Sequence, residues 1–199
     1  MSKNARLSLV IVAVVAVVVA GFLLFARNDT TAASRSGDGK VSVVEYLDLE
    51  CPSCRAAYPS VVKLKGEYAD RVTFTIKHFP IPSHRNAELA AVAVEAADAQ
   101  GKRDEMFEVM YESQQQWGGQ QTSQRAAFVS FAHQLRLDTA AFEKALDDPA
   151  LSERVLASRT EGSKLGVQGT PTFFVNGTKF SGIPNYENLK TAIDRELSK

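Results

Sequence analysis

The chain has 199 residues, with 23 Lys and Arg balancing 23 Asp and Glu, and 45% of its residues are hydrophobic. That balance excludes the basic footprint of a nucleic-acid binder and any strong steering of a charged partner. The hydrophobic content suffices for one domain with its own core. Only two cysteines are present, Cys51 and Cys54.

Lys3 and Arg6 precede an uncharged apolar run from Leu7 to Ala26, long enough to cross a bilayer as a helix. Positive residues before the run predict residues 1–6 in the cytosol and the remainder exported, as a single-pass cell-membrane protein. A cleavable signal is the alternative, since Thr31-Ala32-Ala33 before Ser34 offers small residues at a cleavage position. Against it, the run exceeds the usual signal core of about 7–15 residues. With cleavage the protein would be secreted; both readings put the remainder where disulfides persist. Residues 27–39 are small, polar and patternless and read as a flexible tether.

Residues 40–199 then read as one domain. Lys40 to Leu49 is β-branched and apolar enough for a largely buried strand. Cys51-Pro52-Ser53-Cys54 follows, and after it Ala56, Ala57, Tyr58, Val61, Val62, Leu64 and Tyr68 recur at helical spacing, with Pro59 set to bend the helix. Residues 71–78 alternate as a strand, ended by Phe79-Pro80-Ile81-Pro82. A helix-rich block near 83–150 comes next, broken at Gly101, with His84 opening its first helix. Leu151, Val155 and Leu156 begin another helix. Thr172–Val175 reads as a strand, Asn176-Gly177 as a two-residue hairpin turn, and Thr178–Phe180 as the return strand. Tyr186, Leu189, Ile193 and Leu197 mark a C-terminal helix. The spacing alone gives an α/β or α+β class.

The cysteine pair admits three readings. A structural disulfide would close a tiny loop, which stabilises little, at the start of a helix. A zinc site could recruit His78 and His84, but the stretch from Cys54 to His78 is long for that pattern and reads as a helix and a strand. Reversible dithiol–disulfide exchange needs a thiolate at a helix start, where unpaired N–H groups and the macrodipole stabilise it, and Cys51 stands there.

The segment Val43-Val44-Glu45-Tyr46-Leu47-Asp48-Leu49-Glu50-Cys51-Pro52-Ser53-Cys54 resembles the active-site segment of DsbA-like proteins of the thioredoxin fold. Gly166-Val167-Gln168-Gly169-Thr170-Pro171-Thr172-Phe173-Phe174-Val175-Asn176-Gly177 is similar to the family's cis-proline segment. His84-Arg85-Asn86-Ala87, the Ala-rich helix and Gln100-Gly101-Lys102 resemble its helical insert. The resemblance implies a thioredoxin fold with a helical insert, preceded here by a single transmembrane helix.

It also implies roles. Cys51 becomes the exposed nucleophile and Cys54 the resolving thiol, with Pro52 and Ser53 tuning the thiolate. Strongly oxidising relatives often carry histidine where this chain has Ser53. Thr170 and Pro171 would face the cysteines and present backbone groups to an extended substrate, although local sequence alone suits an ordinary trans proline. Glu45 matches the family's buried proton-transfer acid, or else lies on a solvated face. Asp48 and Glu50 read as solvated rim residues. His78, His84 and His133 read as structural or surface groups, and Trp117 as a loop-edge anchor or part of a substrate groove.

The function implied is an extracytoplasmic thiol–disulfide oxidoreductase, an oxidase introducing disulfides into exported proteins. Its partners would be exported protein thiols and a quinone-linked membrane oxidase, and it needs no cofactor and no metal. The alternatives are a membrane-tethered reductase of the same fold fed by a thiol donor, and a non-redox protein binding a soft metal through the two cysteines.

Overall fold

In the computed structural model, which describes residues 40–199, β1 (Val41–Leu47) is buried along its whole length. Valine, tyrosine and leucine suit a strand covered on both faces. β2 (Val72–His78) pairs with it in parallel and β3 (Thr172–Val175) antiparallel. β4 (Thr178–Lys179) completes the sheet in the order β2-β1-β3-β4.

A parallel pair needs a crossover, and α1 (Pro52–Glu67) supplies it between β1 and β2. Side chains alternate along β1, so Val41, Val43 and Glu45 share one face while Val44 and Tyr46 share the other. The first face packs with Val61 and Leu64 of α1, Phe173, and Leu189 and Ile193 of the C-terminal helix. The second packs with Phe79, Val167 and Phe174. Over that second face passes a long helix, Pro149–Lys164, whose Gly162 leaves room for the Tyr46 ring.

Five helices stand between β2 and that long helix: α2 (Ala87–Asp98), α3 (Arg103–Glu112), α4 (Gln114–Trp117), α5 (Arg125–Gln134) and α6 (Thr139–Leu146). The long helix is therefore α7, and Tyr186–Leu197 is α8. The inserted helices close around Ala90, Val94, Phe107, Met110, Trp117, Phe128 and Phe142, and this core continues into Leu49, Cys51 and Cys54. The insert is thus packed directly against the cysteine segment. Asp138 and Asp148 cap α6 and α7 by accepting backbone N–H bonds.

This is the mixed α/β architecture with a helical insert expected from the sequence. The Asn176-Gly177 turn has positive φ at both residues, as a two-residue hairpin requires. Gly101 also has positive φ, where the break was expected. Three local expectations differ. His84 stands in the turn before α2 rather than opening a helix. Leu156 is exposed, because α7 turns only one stripe to the core. Trp117 is buried inside the insert, its indole N–H donating to Met110 O at 2.9 Å, so it lines no groove. The expected transmembrane segment 7–26 and tether 27–39 lie outside the described residues. Among the described residues no helix is long and apolar enough to cross a membrane.

Candidate active site

Cys51 caps α1 with an extended backbone, φ −74° and ψ 121°, and its carbonyl accepts from Cys54 N at 3.1 Å and Arg55 N at 3.2 Å. Pro52 opens the helix, where its missing N–H costs nothing. Along α1 the buried positions are Cys54, Ala57, Val61 and Leu64, a stripe at spacings of three and four that turns Cys54 inward. Pro52 and Ser53 are exposed. Both cysteines are free thiols, Cys51 with 7% of its surface accessible and Cys54 with 1%. Cys51 is thus less open than expected, yet it remains the more accessible sulfur.

The Cys51 thiol is held down at about 5. The largest cause is a hydrogen bond from the Cys54 thiol; burial opposes it, and Thr170 and the N–H groups of Cys54 and Ser53 add to it. Cys54 moves the other way, pushed far above the usual thiol range by burial and by the neighbouring Cys51. One sulfur is set to be an anion near neutral pH, while the other keeps its proton.

β3 starts opposite β1, with Thr172 paired to Tyr46, which brings the preceding Thr170-Pro171 level with the cysteine segment. The Thr170–Pro171 bond is cis. Cys51 Sγ donates to Thr170 O at 3.4 Å. The Thr170 hydroxyl is buried without another partner, leaving it free to donate toward a thiolate.

Glu45 is buried on the α1 face of β1. Burial raises its carboxyl to about 8, against the opposing pull of Lys65. It lines a cavity of about 320 Å³ together with Lys65, Thr75, Arg103 and Asp104.

Asp48 and Glu50 are not rim residues; they are 2% and 4% exposed. Asp48 accepts from Glu50 N at 2.7 Å and Ile81 N at 2.8 Å, and pairs with His84 Nδ1 at 2.7 Å. Burial nevertheless raises its pKa. Glu50 accepts from Asn86 N at 2.7 Å and Gly119 N at 2.8 Å. Buried carboxylates are tolerated when backbone N–H groups satisfy them. Apart from the Glu50 N–H, their partners lie 33 to 69 residues away, so the flanking sequence carries no sign of this burial. Nor does it mark Gln114, which donates to Leu49 O at 2.6 Å and Cys51 O at 3.1 Å.

The zinc alternative does not assemble. His78 pairs with Glu95 at 3.0 Å and His84 with Asp48, and His133 is exposed on α5. Among the described residues no three His, Cys, Asp or Glu side chains gather as a metal site. What the arrangement offers chemically is a stabilised thiolate, a protonated thiol within hydrogen-bond reach, and a buried acid that titrates near neutrality.

Comparison with known proteins agrees with that chemistry. The thioredoxin family profile matches residues 29–195. A Na(+)/H(+) antiporter NhaA 3 from Salinispora tropica is 35% identical over 157 residues, covering 78% of this chain but 23% of the relative. The chain thus spans about a quarter of the length of the first curated relatives it matches. A probable disulfide bond formation protein D from Bacillus anthracis is 32% identical over 168 residues, which are 81% of this chain and 76% of that protein. The crystal structure of the oxidoreductase DsbA from Xylella fastidiosa shares the fold, with a TM-score of 0.67 at 24% identity over 80% of this chain and 86% of that one. The chain belongs to the thioredoxin family.

Proposed function

We propose that this protein is an extracytoplasmic, membrane-tethered oxidase that introduces disulfides into exported proteins through Cys51 and Cys54. One observation carries the reading: Cys51 Sγ stands at the start of α1 with its pKa lowered to about 5, while Cys54 behind it is shifted upward. A stabilised Cys51 thiolate favours the reduced pair and so drives disulfides outward onto substrates.

Starting from the Cys51–Cys54 disulfide, a substrate thiolate attacks Cys51 Sγ. The new S–S bond joins substrate to Cys51, and the bond to Cys54 breaks. Cys54 leaves as a thiolate and takes a proton, for which Glu45 is the buried donor. A second substrate thiolate then attacks the first substrate sulfur, forming the product disulfide and expelling the Cys51 thiolate. Two electrons now rest on the cysteine pair, and a quinone-linked membrane partner withdraws them. Pro52 and Ser53 tune the thiolate from the exposed side, and Thr170 and Pro171 present backbone groups to the substrate segment. In this reading residues 1–6 are cytosolic, 7–26 anchor the protein, 27–39 tether it, and 40–199 form the redox domain.

The test is the equilibrium potential of the Cys51–Cys54 couple in glutathione buffers, measured on the full-length protein. The expected value lies toward about −120 mV; a value near about −270 mV means a reductase fed by a thiol donor. Cys51→Ser is expected to abolish oxidation of a reduced model peptide, and retained oxidation would sink the mechanism. A soft metal bound stoichiometrically by the reduced protein would favour the non-redox alternative.

A further inference from the structure

Gln114 opens α4 and is buried. Its single amide nitrogen donates to two carbonyls of the cysteine segment, Leu49 O at 2.6 Å and Cys51 O at 3.1 Å. The Cys51 carbonyl is also the acceptor that starts α1, taking Cys54 N and Arg55 N. Between these two residues, Glu50 is held by its carboxylate, which accepts from Asn86 N and Gly119 N. The insert therefore grips three consecutive residues that end in the cysteine.

We propose that Gln114 is a positioning residue for the Cys51–Cys54 couple, fixing the Leu49–Cys51 backbone so that Cys51 Sγ stays at the N-terminus of α1 and beside Thr170. The inference rests on the thiol–disulfide reading above. Its physical ground is the steep dependence of hydrogen bonds on distance and angle. A thiolate stabilised by N–H groups loses that stabilisation once the peptide carrying it drifts. Glutamine fits the task because one NH2 group carries two donors, which no apolar side chain of similar volume can replace. The nearby ionisable groups are Cys54, Tyr111, Asp48 and Glu50, and the last two are engaged with backbone N–H groups.

The test uses the full-length protein and two variants. Gln114→Met keeps the volume and removes the donors. Gln100→Ala removes an amide that bridges Asp138 N and Asp138 O in the same insert without touching residues 49–51 or the groups that hold them. Thiolate absorbance against pH gives the Cys51 pKa, glutathione equilibration gives the potential, and thermal melting gives stability. Gln114→Met is expected to raise the Cys51 pKa by about one unit or more. Each unit shifts the couple up to about tenfold toward the disulfide, which is about 30 mV more negative. Gln100→Ala is expected to lower the melting temperature and leave pKa and potential in place. If Gln114→Met does not fold, Gln114→Asn, whose amide ends one methylene short of the carbonyls, is expected to raise the pKa and carries the same test. Unchanged pKa and potential in a folded Gln114 variant, or equal shifts in Gln100→Ala, overturn the inference while the thiol–disulfide reading stands. A wild-type protein without exchange overturns both.

Discussion

At the scale of the residue, burial acts with opposite consequences on the three groups that matter. It works against the Cys51 anion but loses to the Cys54 hydrogen bond, so that thiol is lowered. It dominates at Cys54 and at Glu45, so Cys54 stays a thiol and Glu45 keeps a proton that water would remove near neutral pH. An acid near 8 can give a proton to a departing Cys54 thiolate and regain it close to neutral pH. Glu45→Gln keeps the shape and removes the proton. Formation of the mixed disulfide at Cys51, the step in which Cys54 leaves, is then expected to slow by about a hundredfold, the lower end of acid–base contributions. The Cys51 titration should stay where it is, because Glu45 is not among the groups that set it. Stopped-flow reduction of the protein by a small dithiol reads the rate. A rate that keeps the wild-type pH profile near 8 would remove Glu45 from the proton path.

At the scale of the element, the question is which contacts a helix or strand declares in its own sequence. α1 declared its buried side through Cys54, Ala57, Val61 and Leu64, and the β3–β4 turn declared itself through Asn176-Gly177. These signals are local, since the periodicity of a helix and the positive φ of a tight turn depend on neighbouring residues. The polar strap behind Cys51 is not local. Asp48, Glu50 and Gln114 owe their burial and bonds to segments brought in by the fold, and each reads as an ordinary surface residue in isolation. Gly162 is the same kind of case. In α7 it resembles a weak helix residue, and alanine should gain about 0.5–1 kcal/mol of helix propensity there. A Cβ at that position, however, would meet the Tyr46 ring at 2.8 Å and Phe79 at 2.9 Å. Overpacking a core costs about 1–3 kcal/mol, so the close approach outweighs the propensity. Gly162→Ala is expected to lower the urea midpoint with an unchanged slope. A higher midpoint would mean that the helix and ring separate freely.

At the scale of the whole molecule, the two perturbed groups tie the redox state to stability in opposite senses. Cys51, ordinarily near 9, is held at about 5 in the fold. A lowered pKa gives stability that is complete above the ordinary value and is lost as pH falls through about 5. Glu45, ordinarily near 4.5, is held at about 8. A raised pKa gives stability that is complete below the ordinary value and is lost as pH rises through about 8. At about 1.4 kcal/mol per pH unit, each contribution amounts to about 5 kcal/mol, and the windows overlap between about pH 5 and 8. In the reduced protein the two slopes therefore offset each other. In the disulfide form Cys51 no longer titrates, and the Glu45 slope is left without that offset. The oxidised protein is expected to lose stability steadily from about pH 5 to 8 while the reduced protein changes little, so the gap between them widens with pH. That widening gap is the driving force for giving the disulfide away. Urea midpoints of both forms across that range read it directly, and Glu45→Gln separates the causes. In that variant the oxidised slope should vanish and the reduced protein should become more stable as pH rises. Parallel profiles for the two redox forms would mean that the Cys51 thiolate is not held by the fold.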